Sequence, residues 1–288
     1  MNLLGNLRPI AFHFAGGNSL FTGSILLIAA AVWSEVDLRR ARPSKLATLR
    51  RAIGGLGFLL VLLSAAPLSW PIAAGWLVAG LLVIRRATAP RTGLFTVVTV
   101  GIAALEAVTI LRPPPSIPSG TTVAVLGDSL SAAESPWRPN WPERFQELSE
   151  GRNWVVNLAH PGATAADAVR QTRGIPPDAA AVIVFIGGND LLAGTRAADY
   201  EQSLDEVLAS AAVFGPQLYL VELPLIPFHG SYGRAQRRVA RKYGAALISK
   251  RVVAGVLSRA DSTTDGLHLS EAGSRQLAGE LWKLLRPK

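Results

Sequence analysis

Residues 52–84 run for 33 positions without one charged side chain, and that stretch limits what this chain can fold into more than any other feature does. A backbone wrapped in so much apolar side chain must satisfy its own N–H and C=O groups, which in hydrocarbon means a helix. As one helix the stretch would be roughly 50 Å long, whereas a bilayer core is about 30 Å thick and takes about 20 residues. Pro67 and Pro71 interrupt it, so it reads as two short helices, 52–66 and 70–84, that either span twice or form a re-entrant hairpin. With apolar runs at 19–36 and 92–111, the expectation is about four transmembrane helices in a region 1–111. The first run reads poorly as a cleaved signal peptide, because its basic residues follow it and no small-residue cleavage pattern closes it.

Charge assigns an orientation. The formal net charge is +9, which by itself would suit a polyanionic partner. Residues 1–119 hold eleven Lys/Arg against three acids, a net of +8, and the remainder is near +1. A near-neutral second half argues against a nucleic-acid partner. The basic residues cluster at 37–51 and 85–91, loops that belong on the cytoplasmic side. The last helix then delivers residues after 119 to the extracytoplasmic (periplasmic) face of a cytoplasmic membrane. Glu106 lies inside the last apolar run, under two turns from its outer end, where interfacial water is expected to reach it. The segment 112–119 is Pro-rich and reads as a stiff linker of at most about 28 Å. No cysteine occurs, which removes thiolate metal sites and a cysteine nucleophile and leaves the redox compartment open.

From residue 120 onward, short β-rich runs (121–126, 154–158, 180–186, 217–223) alternate with helical patterns, clearest at 199–214 and 233–243. That alternation implies an α/β domain over 120–288, a three-layer sandwich with a mainly parallel sheet and ligands beyond the carboxyl ends of the strands. The chemistry-bearing pieces fall there. Gly127-Asp128-Ser129-Leu130 follows the first strand, and a serine needs a base and an oxyanion site before it is a nucleophile; alone, the piece is a turn or helix cap. Among four histidines, His268 has an acid three residues earlier, Asp265, able to orient the ring; the plain alternative is a polar helix start. His13, His160 and His229 lack such an arrangement and read as structural or surface residues. Gly187-Gly188-Asn189-Asp190 ends an apolar run, so the Asn189 amide emerges at a strand end and can donate to an oxyanion, although Gly and Asn also make common turns. Gly162 follows another strand end and can bring a backbone N–H to the same place.

These four pieces, in this order and approximate spacing, resemble the SGNH hydrolases, also called GDSL esterases and lipases, over nearly all of residues 120–288. The resemblance implies an SGNH/flavodoxin-like fold and a triad of Ser129, His268 and Asp265. It implies an oxyanion hole from the Ser129 and Gly162 N–H groups with the Asn189 side chain, and supporting roles for Asp128, Gly187 and Asp190. Neither a metal nor a cofactor is expected. The expected activity is hydrolysis of carboxylic esters of envelope lipids or glycans through an acyl-enzyme. An envelope O-acyltransferase would use the same residues, and a silent SGNH-fold binding module would share the fold. Trp137 and Trp141 either contact substrate or pack their loop. Arg234, Arg237, Arg238, Arg241 and Lys242 have helical spacing and form either a solvated face or a lipid-headgroup contact. Substrate identity and oligomeric state are not legible.

Overall fold

The structure, a computed structural model, describes residues 3–39, 46–85, 89–133 and 138–287. The chain divides into two compact units, one of His13–Arg112 with Ile226–Gly230, the other of Met1–Phe12, Pro113–Leu225 and Ser231–Lys288.

Helix α1 (Leu3–Ala15) straddles that division and is absent from the sequence expectation, because Pro9 and Gly5 hide it from propensity reasoning. The first unit then consists mainly of α2 (Ser19–Arg39), α3 (Ala47–Leu62), α4 (Trp70–Arg85) and α5 (Ala89–Leu111). The uncharged run breaks where its prolines stand. Residues 64–69 are non-helical, and Pro71 sits in the first turn of α4, where a missing N–H costs nothing. At 16 residues each, α3 and α4 are about 24 Å long, short of a hydrocarbon core. Among the described helices, α2 over Ser19–Asp37 and α5 over Arg91–Leu111 are long and apolar enough to cross a membrane.

Two features of this unit concern how its helices pack. Helices α2 and α3 meet backbone to backbone: a Cβ on Gly23 would lie 2.7 Å from the Gly57 carbonyl oxygen, and one on Gly57 would lie 2.9 Å from that of Gly23. Such approach is how small residues let helices associate where apolar surroundings offer no hydrophobic drive. Helix α5 is inside-out. Thr92, Phe95, Thr99, Ile102 and Glu106, at three- and four-residue spacing, are buried, while Leu94, Val97, Leu105 and Val108 are exposed. Thr99 Oγ1 accepts from Trp76 Nε1 at 2.9 Å and donates to the Phe95 carbonyl. Glu106, expected to meet interfacial water, is instead only 4 % exposed within the protein, because it falls on the same helical stripe as those threonines.

The second unit is an α/β layer structure. Its strands are β1 (Thr122–Gly127), β2 (Trp154–Asn157), β3 (Ala179–Phe185), β4 (Gln217–Val221) and β5 (Ala246–Ile248). They form one parallel sheet in the order β2-β1-β3-β4-β5. The near-continuous apolar runs of β1 and β3 are buried along almost their whole length, as a sheet covered on both faces requires. Helices α6 (Trp141–Leu148), α7 (Ala165–Gln171), α8 (Gly188–Leu192), α9 (Ala197–Ala211), α10 (Gly230–Lys242), α11 (Lys250–Leu257) and α12 (Glu271–Leu285) connect and follow the strands. Helix α6 packs on α12, where Phe145 and Trp282 meet edge to face, and α7 packs on α9. The chain order reverses between β1 and β3, so the crevice at their carboxyl ends is the topological switch point of the sheet.

The Pro-rich segment departs from the expectation of a stiff spacer. Ile117 is buried and its N–H donates to the Leu285 carbonyl at 2.7 Å, while the carbonyls of Pro115 and Pro118 accept from Tyr219 Oη and Asn153 Nδ2. An extended backbone keeps its carbonyls unpaired by any helix, and here the α/β unit uses them as acceptors.

Three of the five basic residues on α10 are ion-paired. Arg237 is buried against Glu222 (2.7 Å), Arg238 pairs with Glu201 (2.6 Å) and Lys242 with Asp205 (2.6 Å). With Glu201 and Asp205 of α9 engaged, much of this charge is already partnered, which supports the solvated-face alternative over a headgroup contact.

Candidate active site

The nucleophile candidate is held in a turn that leaves β1. Gly127 permits it, since a Cβ there would lie 2.8 Å from the Phe185 carbonyl oxygen of β3. The N–H groups of Ser131 and Ala132 both donate to the Asp128 carbonyl, closing the turn around Ser129. Three side-chain amides and an indole then fix this loop. Gln171, 6 % exposed, accepts from the Gly127 N–H and donates back to its carbonyl, both at 2.9 Å. Asn140 donates to the carbonyls of Leu130 and Ala132, and Asn157 to that of Ser131. Trp141, fully buried, donates its Nε1–H to Ser131 Oγ at 3.1 Å, so of its two expected roles it packs the loop; Trp137 lies outside the described residues.

The base candidate sits in a tight loop rather than at a helix start. A bridge between Thr263 and Leu269 closes it, and Gly266 takes φ +98° within it. Asp265 Oδ1 accepts from the N–H groups of Leu267 (2.9 Å) and His268 (2.8 Å), and Oδ2 lies 2.6 Å from His268 Nδ1. The His268 ring and its two neighbouring N–H donors hold the Asp265 carboxyl well below the usual carboxylate range. Nδ1 thus carries the proton toward Asp265, which leaves Nε2 as the basic nitrogen. Helix α12 begins just beyond, capped by Ser270, whose Oγ accepts from the Gly273 N–H.

Ser129 and His268 line one cleft of about 600 Å³, together with Asn140, Arg138, Arg144, Pro161 and Glu271 among others. Pro161 also borders a neighbouring hollow of about 430 Å³ lined by His160, Gly162 and Ala163. Gly162, with φ +76°, lines this hollow rather than the cleft itself. Asn189 begins the first turn of α8 and donates one amide hydrogen to the Ala163 carbonyl at 2.9 Å. An amide nitrogen has two hydrogens, so this bond leaves one unused.

The supporting acids join these loops to one another. Asp128 Oδ1 accepts from the Leu130 N–H at 3.0 Å, and the carboxyl also accepts from the N–H of Gly188. Burial, with Asp190 nearby, pushes the Asp128 carboxyl up to about 6 against the pull of those donors and of His268. Asp190 Oδ2 accepts from the Ala165 N–H at 2.9 Å, and burial raises this carboxyl too. Asp128 thus links the nucleophile loop to the Asn189 loop, and Asp190 links the Asn189 loop to the Gly162 loop. Gly187 starts α8 at φ +115°, against the ring of the fully buried Tyr200.

Of the other histidines, His13 Nε2 is 3.1 Å from Thr22 Oγ1, His229 Nδ1 is 3.0 Å from the Pro227 carbonyl, and His160 lines the neighbouring hollow. The amides Gln171, Asn140 and Asn157 and the cleft arginines were not foreseen. Only the capping box Asn140-x-x-Glu143 was legible as a local signal. No group of three or more His, Cys, Asp or Glu that could hold a metal occurs among the described residues.

A profile of the GDSL-like lipase/acylhydrolase family matches residues 125–276, more than half of the chain. Esterase TesA of Pseudomonas aeruginosa is 28% identical over 181 residues, covering 58% of this chain and 88% of that one. Among solved structures, that of TesA aligns at TM-score 0.52 and 28% identity, covering 58% of this chain and 98% of that one. The psychrotrophic esterase EstA from Pseudoalteromonas sp., inhibited by monoethylphosphonate, shares the fold at TM-score 0.52 and 18% identity, covering 57% and 96%.

Proposed function

Because this chain belongs to the GDSL-like lipase/acylhydrolase family, a family of esterases and lipases, we propose that it is a membrane-anchored serine esterase whose α/β unit works on the extracytoplasmic side. The observation that carries this reading is the Asp265–His268 pair at 2.6 Å, set in the cleft that Ser129 also lines.

The proposed reaction runs through an acyl-enzyme. Ser129 Oγ bonds to the ester carbonyl carbon as its proton passes to His268 Nε2, and Asp265 stabilises the imidazolium. The carbonyl oxygen becomes an oxyanion facing the N–H groups of Ser129 and Gly162 and the remaining Asn189 hydrogen. His268 then protonates the departing alkoxide. Water attacks the acyl-enzyme with His268 again as base, which releases a carboxylic acid and restores Ser129. Esters of envelope lipids or glycans are the substrates that a membrane-held cleft would meet.

The anchor rests on the inverted polarity of α5 and the glycine contact of α2 with α3. Large apolar residues stand exposed on each of α2 to α5, and lipid is an environment that accepts them.

The test uses the full chain in detergent. Wild type should release p-nitrophenol from short-chain esters, and Ser129→Ala should abolish this while melting at the same temperature. Asn189→Ala should stay folded and lose about 10²–10³ in rate. Undiminished turnover by Ser129→Ala would overturn the mechanism. The chain has no cysteine, so Glu150→Cys in intact cells reports the orientation. Labelling by an impermeant maleimide is expected, and labelling only after lysis would reverse the assignment.

A further inference from the structure

The cleft around Ser129 is charged on one wall. Arg138 and Arg144 line it, and Glu271 is the single carboxylate among its described lining residues. Arg144 leaves the second turn of α6 with its side chain 13% exposed, and Nη2 lies 3.3 Å from Glu271 Oε1. Its buried Nε has no hydrogen-bond partner among the described residues. Glu271 cannot complete that guanidinium. Its side chain is 69% exposed and its Oε1 also accepts from Arg275 Nη1, one turn along α12, in a closer contact.

A structural tie between α6 and α12 would be the ordinary use of such a pair. A long ion pair with a mostly exposed partner contributes little, and the Phe145–Trp282 contact already joins these helices. A guanidinium presents Nε and an Nη on one edge, spaced to match a carboxylate or phosphate. In Arg144 that edge has a buried, unpartnered Nε and belongs to a residue that shares the cleft with the nucleophile.

We propose that Arg144 forms an anion subsite, so that the preferred ester carries a carboxylate or phosphate close to its scissile bond. The proposal rests on the esterase reading of the same cleft and specifies its substrate class. Glu271 then acts as the resting partner of Arg144, which the substrate anion replaces while Arg275 retains the displaced carboxylate.

The test compares matched esters on the full chain in detergent at low ionic strength. For an anion on the acyl side, monoethyl succinate is set against ethyl levulinate, which has an acetyl group in place of the carboxylate. For an anion on the alcohol side, acetoxyethyl phosphate is set against methoxyethyl acetate. In at least one arm, wild type should favour the anionic ester by about tenfold or more in kcat/KM, the scale of a charged hydrogen bond partly screened by solvent. The arm that shows it identifies the anion's source. Arg144→Gln should reduce that ratio several-fold, Arg144→Lys, which keeps the charge but loses the two-nitrogen edge, should retain part of it, and raising salt should weaken it.

The ratio itself is the readout, so a variant that only loses stability lowers both members of a pair and leaves it unmoved. If Arg144→Gln fails to fold, Arg144→Lys and the salt series carry the test. Equal rates in both arms, or a preference that Arg144→Gln and Arg144→Lys both leave intact, overturns the subsite. Turnover of the neutral esters, lost in Ser129→Ala, reports separately on the esterase reading.

Discussion

Gly187→Ala puts a single methyl group where the structure has least room for one. Gly187 has φ +115°, and a Cβ there would lie 2.5 Å from Cε2 and 2.8 Å from Oη of Tyr200. Ordinary carbon contacts are about 3.5–4.0 Å, so the overlap is roughly 1 Å. Tyr200 cannot retreat. It is fully buried, stacked on Tyr232 at 4.7 Å between ring centroids, and donates its hydroxyl to the Ile186 carbonyl. Backbone strain at such a φ costs about 1–3 kcal/mol, and overpacking a filled site costs about 1–3 kcal/mol more. A total of about 2–6 kcal/mol is a large share of a typical domain's stability of about 5–15 kcal/mol. At about 2–4 °C per kcal/mol for a domain of this size, the melting temperature should fall by roughly 4–24 °C.

The assay is thermal unfolding of the full chain in detergent, followed by near-UV circular dichroism. Gly194→Ala is the control, because Gly194 has φ +70° with nothing within 4 Å of its Cβ position. It carries the strain without the overlap and should lose only about a third to half as much. Tyr200→Leu in the Gly187→Ala background should recover part of the difference. Equal losses at Gly187 and Gly194 would refute the reasoning, since the Tyr200 wall would then be yielding.

Asp128→Asn tests the buried acid. Its folded carboxyl titrates at about 6 against an ordinary 3.8, so the proton is bound more tightly in the folded state. The resulting stability is present below pH 3.8 and lost as pH rises through about 6, by about 3 kcal/mol. The substitution should flatten that fall in denaturation midpoints between pH 4 and 7, and an unchanged slope would exclude Asp128 as its source. Asp265→Asn should lower kcat/KM on neutral esters by about 10³–10⁴ with the fold intact; a loss under tenfold in steady-state assays would remove Asp265 from the triad. Val97→Arg, on the outward face of α5, should cost about 2.5–3.5 kcal/mol of insertion and shift chain out of the carbonate-resistant membrane fraction. Unchanged fractionation would sink the lipid-facing assignment.

The parts of this molecule that were readable from sequence are those whose bonds close locally. Asp265 and His268 meet across three residues, and Ser129 and Asn189 each follow a buried strand whose apolar run is plain in the sequence. The proline break between α3 and α4 is equally local. What stayed hidden depends on partners far along the chain. Gln171 reaches Gly127 across 44 residues and Arg144 reaches Glu271 across 127, and neither spacing has a pattern. Strand β5 has three residues, too few for a period to register. Glu106 was misplaced because distance from a helix end was weighed above its position on the helical stripe. The Pro-rich segment reads as a spacer by composition, yet its carbonyls are acceptors for side chains more than 30 residues away.

The clamp on the nucleophile loop sets a limit on how this protein ages. Gln171, Asn140 and Asn157 each donate an amide hydrogen to a backbone carbonyl of residues 127–132. Deamidation turns such a donor into an acceptor of the same shape, so one hydrolysed amide would place a carboxylate against a carbonyl oxygen and push the loop away. Asn140 and Gln171 are shielded from that reaction by burial, whereas Asn157 is only partly buried. In a stored sample, inactivation without unfolding would therefore begin at Asn157, as a mass gain on the peptide that contains it.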